Sequence, residues 1–168
     1  AGVDCSDHEV NIKILLNESV VKGELTQAQR NRQLVSMTDT VAEMVLNNNY
    51  YQTQSVSLAE KEGLARNNEY RRLINSLESS GRLNRKLEFI PSDDELVERV
   101  AGGQSLTRPE LAVLNCYVKS QLKEELAVDA IANNEYLSSW VEKAFPKQLL
   151  KKYKAKIHSH IHVRYPSR

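Results

Sequence analysis

The stretch Thr107-Arg108-Pro109-Glu110, followed by Leu111, Leu114, Val118, Leu122 and Leu126, leaves this part of the chain few choices. A T-x-x-E box offers a threonine oxygen to the open N–H groups of a helix start. Its glutamate reaches back to the N–H of the cap itself. Proline in the first turn is harmless, because its missing N–H would have had no partner inside the helix. The apolar residues recur every three or four positions, so they make one continuous stripe on a helix.

The same grammar recurs along the chain. Ser92-Asp93-Asp94-Glu95 repeats the box after Pro91 and opens a short helix that Gly102-Gly103 stops. Ser6-Asp7-His8-Glu9 has the S-x-x-E form, with Ser6 as the cap, Val10 and Ile14 on one face, and Gly23 as the end. A helix is expected after Thr26, running past Leu34 and Val35. Thr38 precedes Val41, Met44 and Val45 at helical spacing, and Asn47-Asn48-Asn49 then invites a break. Tyr70, Leu73, Ile74 and Leu77 form a stripe with Gly81 just past its end, and Leu83 to Ile90 is a connector. Tyr136, Leu137, Trp140 and Val141 lead to Phe145-Pro146, after which Leu149, Leu150, Tyr153 and Ile157 mark a last helix. The expectation is an all-α chain of about eight helices in orthogonal or bundle-like packing, without a repeat.

Composition removes several classes of function. Of 168 residues, 40% are hydrophobic and 27% charged, which is ordinary globular usage and speaks against disorder. A net charge of +1 provides no field to gather nucleic acid or an anionic membrane, so neither is expected as a partner. Apolar runs such as Ile14-Leu15-Leu16 are too short to span a bilayer. No basic stretch followed by an apolar run opens the chain, so no secretory signal is read there. The chain opens on alanine, which is read as the mark of a fragment or a processed chain. Cys5 and Cys116 are read as two reduced thiols.

The six glycines are scattered and form neither a G-x-G-x-x-G nor a phosphate-loop pattern. C-x-x-C and H-E-x-x-H are absent too, so a nucleotide site built wholly within the chain is not expected. His158, His160 and His162 alternate and would share one side of an extended segment. Lys151, Lys152, Lys154 and Lys156 upstream would repel a cation, so no metal site is expected. KKYKAK reads as a solvated helix face, and Tyr50-Tyr51 and Trp140 as core or interface anchors. The polar opening, Asp4-Cys5-Ser6-Asp7-His8-Glu9, reads equally as a capped helix start or as a place for a carboxylate or phosphate ligand.

Four stretches carry a resemblance: AGVDCSDHEVNIKILLN, MTDTVAEMVLNNNYYQTQ, LNRKLEFIPSDDEL and LTRPELAVLNCYVK. In this order they resemble the C-terminal part of the large bacterial NAD-specific glutamate dehydrogenases, from Ala1 to about Ile157. The final HIHVRYPSR departs from that family, where an arginine-rich helical continuation is expected. The resemblance implies three parts: residues 1–9 as the end of an upstream cofactor and catalytic domain, 10–157 as a C-terminal helical domain, and 158–168 as a tail.

The small hexameric glutamate dehydrogenases carry a related Gly-Val, two residues, a serine and, three residues later, a glutamate. Gly2, Val3, Ser6 and Glu9 fall on that pattern. The resemblance implies that Ser6 contacts the substrate α-carboxylate and that Gly2 and Val3 lie beside the nicotinamide. Asp4, Cys5, Asp7 and His8 do not match, and no role transfers to them. It further implies a cytoplasmic, homo-oligomeric enzyme that converts L-glutamate and NAD to 2-oxoglutarate, ammonium and NADH. NAD would be held mainly by upstream domains, the catalytic lysines would lie upstream too, and this chain alone would be inactive. The competing class is an autonomous all-α interaction module.

Overall fold

Capping and glycine signals recur where the helices begin and end. The computed structural model describes the backbone of residues 2–126 and 134–164, with side chains from His8 to Leu126, of Asn134 and Tyr136, and over 139–158. Among the described residues there are eight helices and no strand: α1 Gly2–Val21, α2 Gln27–Ser36, α3 Thr38–Lys61, α4 Asn67–Ser79, α5 Asp93–Ala101, α6 Arg108–Leu126, α7 Glu135–Glu142 and α8 Lys147–Arg164. The all-α expectation is met. The chain divides into two compact units, one of residues 1–50 with 126–168 and one of residues 51–125.

In the first unit, α1 packs on α2 and α8, and α7 packs on α8. Its core joins Ile12, Leu15 and Leu16 of α1 to Leu25, Met37, Phe145, Leu149, Tyr153 and Ile157. Full burial of one such aliphatic side chain is worth about 1.5–3 kcal/mol. The buried face of α1 is therefore Ile12-Leu15-Leu16, whereas the expected pair Val10 and Ile14 lies toward solvent, 41% and 37% exposed. At Thr26 both arms of a capping box are present. The Gln29 N–H donates to Thr26 Oγ1 at 3.2 Å, and the Thr26 N–H to Gln29 Oε1 at 2.8 Å. The triplet Asn47-Asn48-Asn49 does not break α3. Two of its three amides are engaged elsewhere: Asn49 Nδ2 donates to the Val45 carbonyl at 2.7 Å and Asn48 Nδ2 bonds the His8 ring. An asparagine amide that finds such partners no longer competes with the helix backbone. Helix α8 is kinked at Tyr153, whose backbone (φ −118°, ψ 16°) is not helical.

In the second unit, Ile74, Leu77, Leu83, Ile90, Leu96, Leu106, Leu111 and Leu114 make the core. The expected stripe of α6 is only half used: Leu111 and Leu114 are buried, but Val118, Leu122 and Leu126 are 37%, 49% and 45% exposed. Ser92 Oγ accepts from the Glu95 N–H at 3.2 Å. The Thr107 N–H donates to Glu110 Oε2 at 2.6 Å, and Arg99 Nη1 donates to both oxygens of that carboxylate at 3.0 Å. Arg85, whose side chain is 12% exposed, gathers the connector and the ends of α4 and α5. It donates to Glu78 Oε2 at 2.8 Å, Asp93 Oδ1 at 3.1 Å, the Pro91 carbonyl at 3.1 Å and Asn75 Oδ1.

Helix α4 leaves by a Schellman motif: the Arg82 N–H donates to the Leu77 carbonyl and the Gly81 N–H to that of Glu78, with Gly81 at φ +70°. The connector closes the same way, with the Ile90 N–H on the Arg85 carbonyl and Phe89 at φ +54°. A Cβ costs about 1–2 kcal/mol in that left-handed region. Phe89 is 86% exposed and returns little of this through burial.

Two outcomes follow for chemical denaturation. Gly81→Ala, whose added Cβ meets nothing within 4 Å, should lose about 1 kcal/mol. Phe89→Gly should range from neutral to a gain of about 1 kcal/mol, because relief of strain is partly offset by a freer unfolded chain. Equal losses at both positions would contradict this account. The third concerns pH. Burial pushes the Asp93 carboxyl up, but hydrogen bonds from Arg85 and Asn75 and the nearby arginine charges outweigh it and hold it below its usual value. A carboxyl lowered on folding stabilises above its unfolded pKa, about 4, and loses that contribution as pH falls through the folded value. The fall of the urea midpoint between about pH 5 and pH 2.5 should be shallower in Asp93→Asn.

Candidate functional site

The residues singled out by the opening stretch lie on α1. Gly2, Val3 and Ser6 all have helical backbone, and the side chains of Gly2 to Asp7 lie outside the described residues. This corrects one expectation. An N-cap residue has non-helical backbone, whereas Ser6 sits in the second turn of a helix that includes Gly2. No proline or other breaker stands between Gly2 and Cys5, so nothing local holds the helix start at Ser6. The carboxylate of Glu9 pairs with Lys13 Nζ, one turn on, at 2.5 Å.

His8, to which no role transferred, is held inside the fold by hydrogen bonds at both ring nitrogens. It is 8% exposed. Its Nδ1 lies 2.9 Å from the Ala144 carbonyl oxygen and its Nε2 lies 2.8 Å from Asn48 Nδ2. A carbonyl can only accept, so Nδ1 carries the hydrogen and Nε2 accepts from the Asn48 amide. Both ring nitrogens are thereby satisfied in the neutral imidazole. Further along the same face, Ser19 is fully buried and its hydroxyl accepts from Lys156 Nζ at 3.0 Å. Lys156 also pairs with Glu24. That hydrogen bond holds the Glu24 carboxyl below its usual range, against the opposing effect of burial.

An apolar groove of about 620 Å³ runs between α1 and the α2–α3 segment of the same unit. Ile12, Leu34, Met37, Val41 and Val45 line it, with Glu9 and Lys13 at its rim. Val35 and Leu46 beside it are 75% and 69% exposed.

The remaining expectations fall as follows. Backbone over 158–164 is helical, so the alternating geometry imagined for His158, His160 and His162 does not apply. The side chains of His160 and His162 lie outside the described residues. His158 Nε2 meets Glu142 Oε1 at 2.8 Å, and Lys154 Nζ meets the same oxygen at 3.0 Å. Hydrogen bonds from Lys154, then His158, hold the Glu142 carboxyl below its usual range. Among the described residues no group of three or more potential metal ligands occurs. Tyr50 and Tyr51 are 63% and 64% exposed, and Trp140 is 59% exposed with Lys143 Nζ 3.8 Å above its ring. They are surface groups and not core. Cys116 is an exposed free thiol, and Cys5 lies outside the described side chains. Among the described residues, no helix is long and apolar enough to cross a membrane.

Known proteins match the chain at both ends. Residues 1–59 match the catalytic domain of bacterial NAD-glutamate dehydrogenase, and residues 103–163 match the glutamate dehydrogenase C-terminal family. The NAD-specific glutamate dehydrogenase of Pseudomonas aeruginosa is 55% identical over 152 residues, which are 90% of this chain and 9% of that protein. That of Halomonas elongata is 47% identical over 162 residues, 95% of this chain and 10% of the relative. That of Mycobacterium tuberculosis is 38% identical over 160 residues, with the same two shares. The chain corresponds in sequence to one part of the much longer bacterial NAD-specific glutamate dehydrogenases. It spans about a tenth of the length of the curated relatives it matches.

With Glu142 engaging His158, a chelator should find no structural metal to remove. Dialysis against a strong chelator is expected to leave the helical circular dichroism and the melting temperature unchanged. A stoichiometric metal that survives dialysis, with unfolding on its removal, would contradict this.

Proposed function

We propose that this chain is the C-terminal helical part of an enzyme that oxidises L-glutamate with NAD to 2-oxoglutarate, ammonium and NADH, and that it supports the reaction without carrying it. The observation that bears most weight is the catalytic-domain match over residues 1–59, which covers α1, α2 and most of α3. The hydride chemistry belongs to the cofactor. NAD is held mainly by other parts of the polypeptide, since the sequence here offers no glycine-rich phosphate loop.

Ser6 is the candidate contact for the substrate α-carboxylate, and Gly2 and Val3 the candidate wall beside the nicotinamide. On a helix, positions three and four apart share a face. Gly2 and Val3 therefore stand one turn from Ser6 on the same side of α1, an arrangement that suits one site. The exposed apolar groove on α1 to α3 suits burial against other domains of the same polypeptide. A homo-oligomer in the cytoplasm completes the proposal.

The test uses the full-length dehydrogenase containing this segment. Ser6→Ala should raise KM for glutamate and leave KM for NAD nearly unmoved, and Ser6→Asp should be worse because it sets a negative charge against the carboxylate. A lost hydrogen bond to a charged group is worth about 1.5–3 kcal/mol, roughly tenfold to a hundredfold in kcat/KM. Ser6 is not at a helix cap, so neither change should cost stability through capping. The 168-residue chain alone should be helical by circular dichroism and form no NADH from glutamate. Turnover by that chain, or wild-type kinetics in both Ser6 variants, would refute the assignment.

A further inference from the structure

We infer that His8 is a positioning residue through which the C-terminal helices set the pose of the substrate-facing end of α1. The inference rests on the reading of Ser6 given above. His8 and Asn48 belong to the segment that matches the catalytic domain, residues 1–59. Ala144 belongs to the segment that matches the C-terminal family, residues 103–163. One imidazole, 8% exposed, joins the two: Nδ1–H to the Ala144 carbonyl at 2.9 Å and Nε2 from the Asn48 amide at 2.8 Å.

Each partner is held in turn. Ala144 lies beyond the last residue of α7, where no continuing helix turn satisfies its carbonyl. It is followed by Phe145 and Pro146, both buried. Asn48 lies within α3, a 24-residue helix. The ring is therefore fixed by two elements that do not belong to α1.

Its leverage comes from helix geometry. His8 stands two residues from Ser6, about 3 Å along the axis at 1.5 Å per residue. Over that distance a helix moves as a rigid body, so a slip or rotation at His8 is passed on to Ser6 undiminished. The contacts below it, Ile12, Leu15 and Leu16, are apolar: they choose which face of α1 is buried, but, being non-directional, they leave its fine rotation loose. The directional bonds of His8 supply the angular constraint. A misplacement of about 1 Å at a substrate contact costs on the order of a hundredfold, so the loss of this tie should be felt in glutamate binding.

The experiment compares five variants of the full-length dehydrogenase. His8→Ala removes both bonds. His8→Asn can keep the donor to Ala144 and loses the acceptor for Asn48. Asn48→Ala leaves His8 intact. Ile157→Val trims the same core without touching the tie, and Ser6→Ala reports on the underlying reading. The expected order in KM for glutamate is His8→Ala, raised about tenfold or more, then His8→Asn and Asn48→Ala, with Ile157→Val near wild type. KM for NAD should stay within about twofold throughout. Should His8→Ala not fold, the two partial variants carry the test. A KM for glutamate unmoved in the folded tie variants overturns the inference, as does an equal rise in Ile157→Val at a matched loss of melting temperature. If Ser6→Ala raises KM while the tie variants do not, only the tie is refuted. If Ser6→Ala does nothing, the reading of Ser6 fails and this inference fails with it.

Discussion

Burial of Ile12, Leu15 and Leu16, none of them more than 1% exposed, decides how α1 lies, and the first unit is arranged around that choice. The three stand at i, i+3 and i+4, the spacing that places side chains on one helix face. Leu25 and Met37 come to that face from one direction, and Phe145, Leu149, Tyr153 and Ile157 from the far end of the sequence. Because the face is set, His8, one turn before Ile12, and Ser19, one turn after Leu15, are carried inward with it. A buried polar group left unpaired costs about 1–3 kcal/mol. The Asn48, Ala144 and Lys156 contacts are thus a requirement of the packing, and they restrict which surfaces may meet α1.

The second unit solves a different problem. Its core is aliphatic, but arginines tie its connector and helices: Arg85 holds Glu78, Asn75, Asp93 and the Pro91 carbonyl, and Arg99 joins Glu95 of α5 to Glu110 of α6. A guanidinium has five donors in a rigid fork and can hold several acceptors at fixed angles. The strained Phe89 sits within this frame, its neighbour Glu88 accepting from the Tyr117 hydroxyl at 2.7 Å. Strain of this size persists only where the surroundings over-determine the backbone.

Helix boundaries were the legible part of this sequence. Thr26, Ser92 and Thr107 mark starts, and Gly23, Gly81 and Gly103 adopt positive φ just past helix ends. Such signals are local, carried by a few adjacent residues and the backbone chemistry they allow. Faces were less legible. Between Val10 and Leu16 the sequence holds five aliphatic residues, enough for two candidate stripes, and only the arrival of Leu25 and Met37 from one side and of Phe145 and α8 from the other selects one. The false break at Asn47 to Asn49 and the false cap at Ser6 share a cause: a small polar residue announces a competing hydrogen bond without naming its partner. His8 could not be found from sequence at all, since its partners lie 40 and 136 residues away. The residues proposed for the site, Gly2, Val3 and Ser6, were legible only through likeness to relatives, because a single serine leaves no periodic trace.

Trp140 is the single tryptophan of the chain. It stands more than half exposed on α7, under the ammonium of Lys143 and one turn before Ala144. An indole in that setting already meets water over much of its surface, so loss of the fold moves its emission to longer wavelength if at all. Burial of α7 against another surface would strip away that water and shift the emission to shorter wavelength. The molecule therefore carries an intrinsic optical reporter on which unfolding and the covering of α7 act in opposite directions.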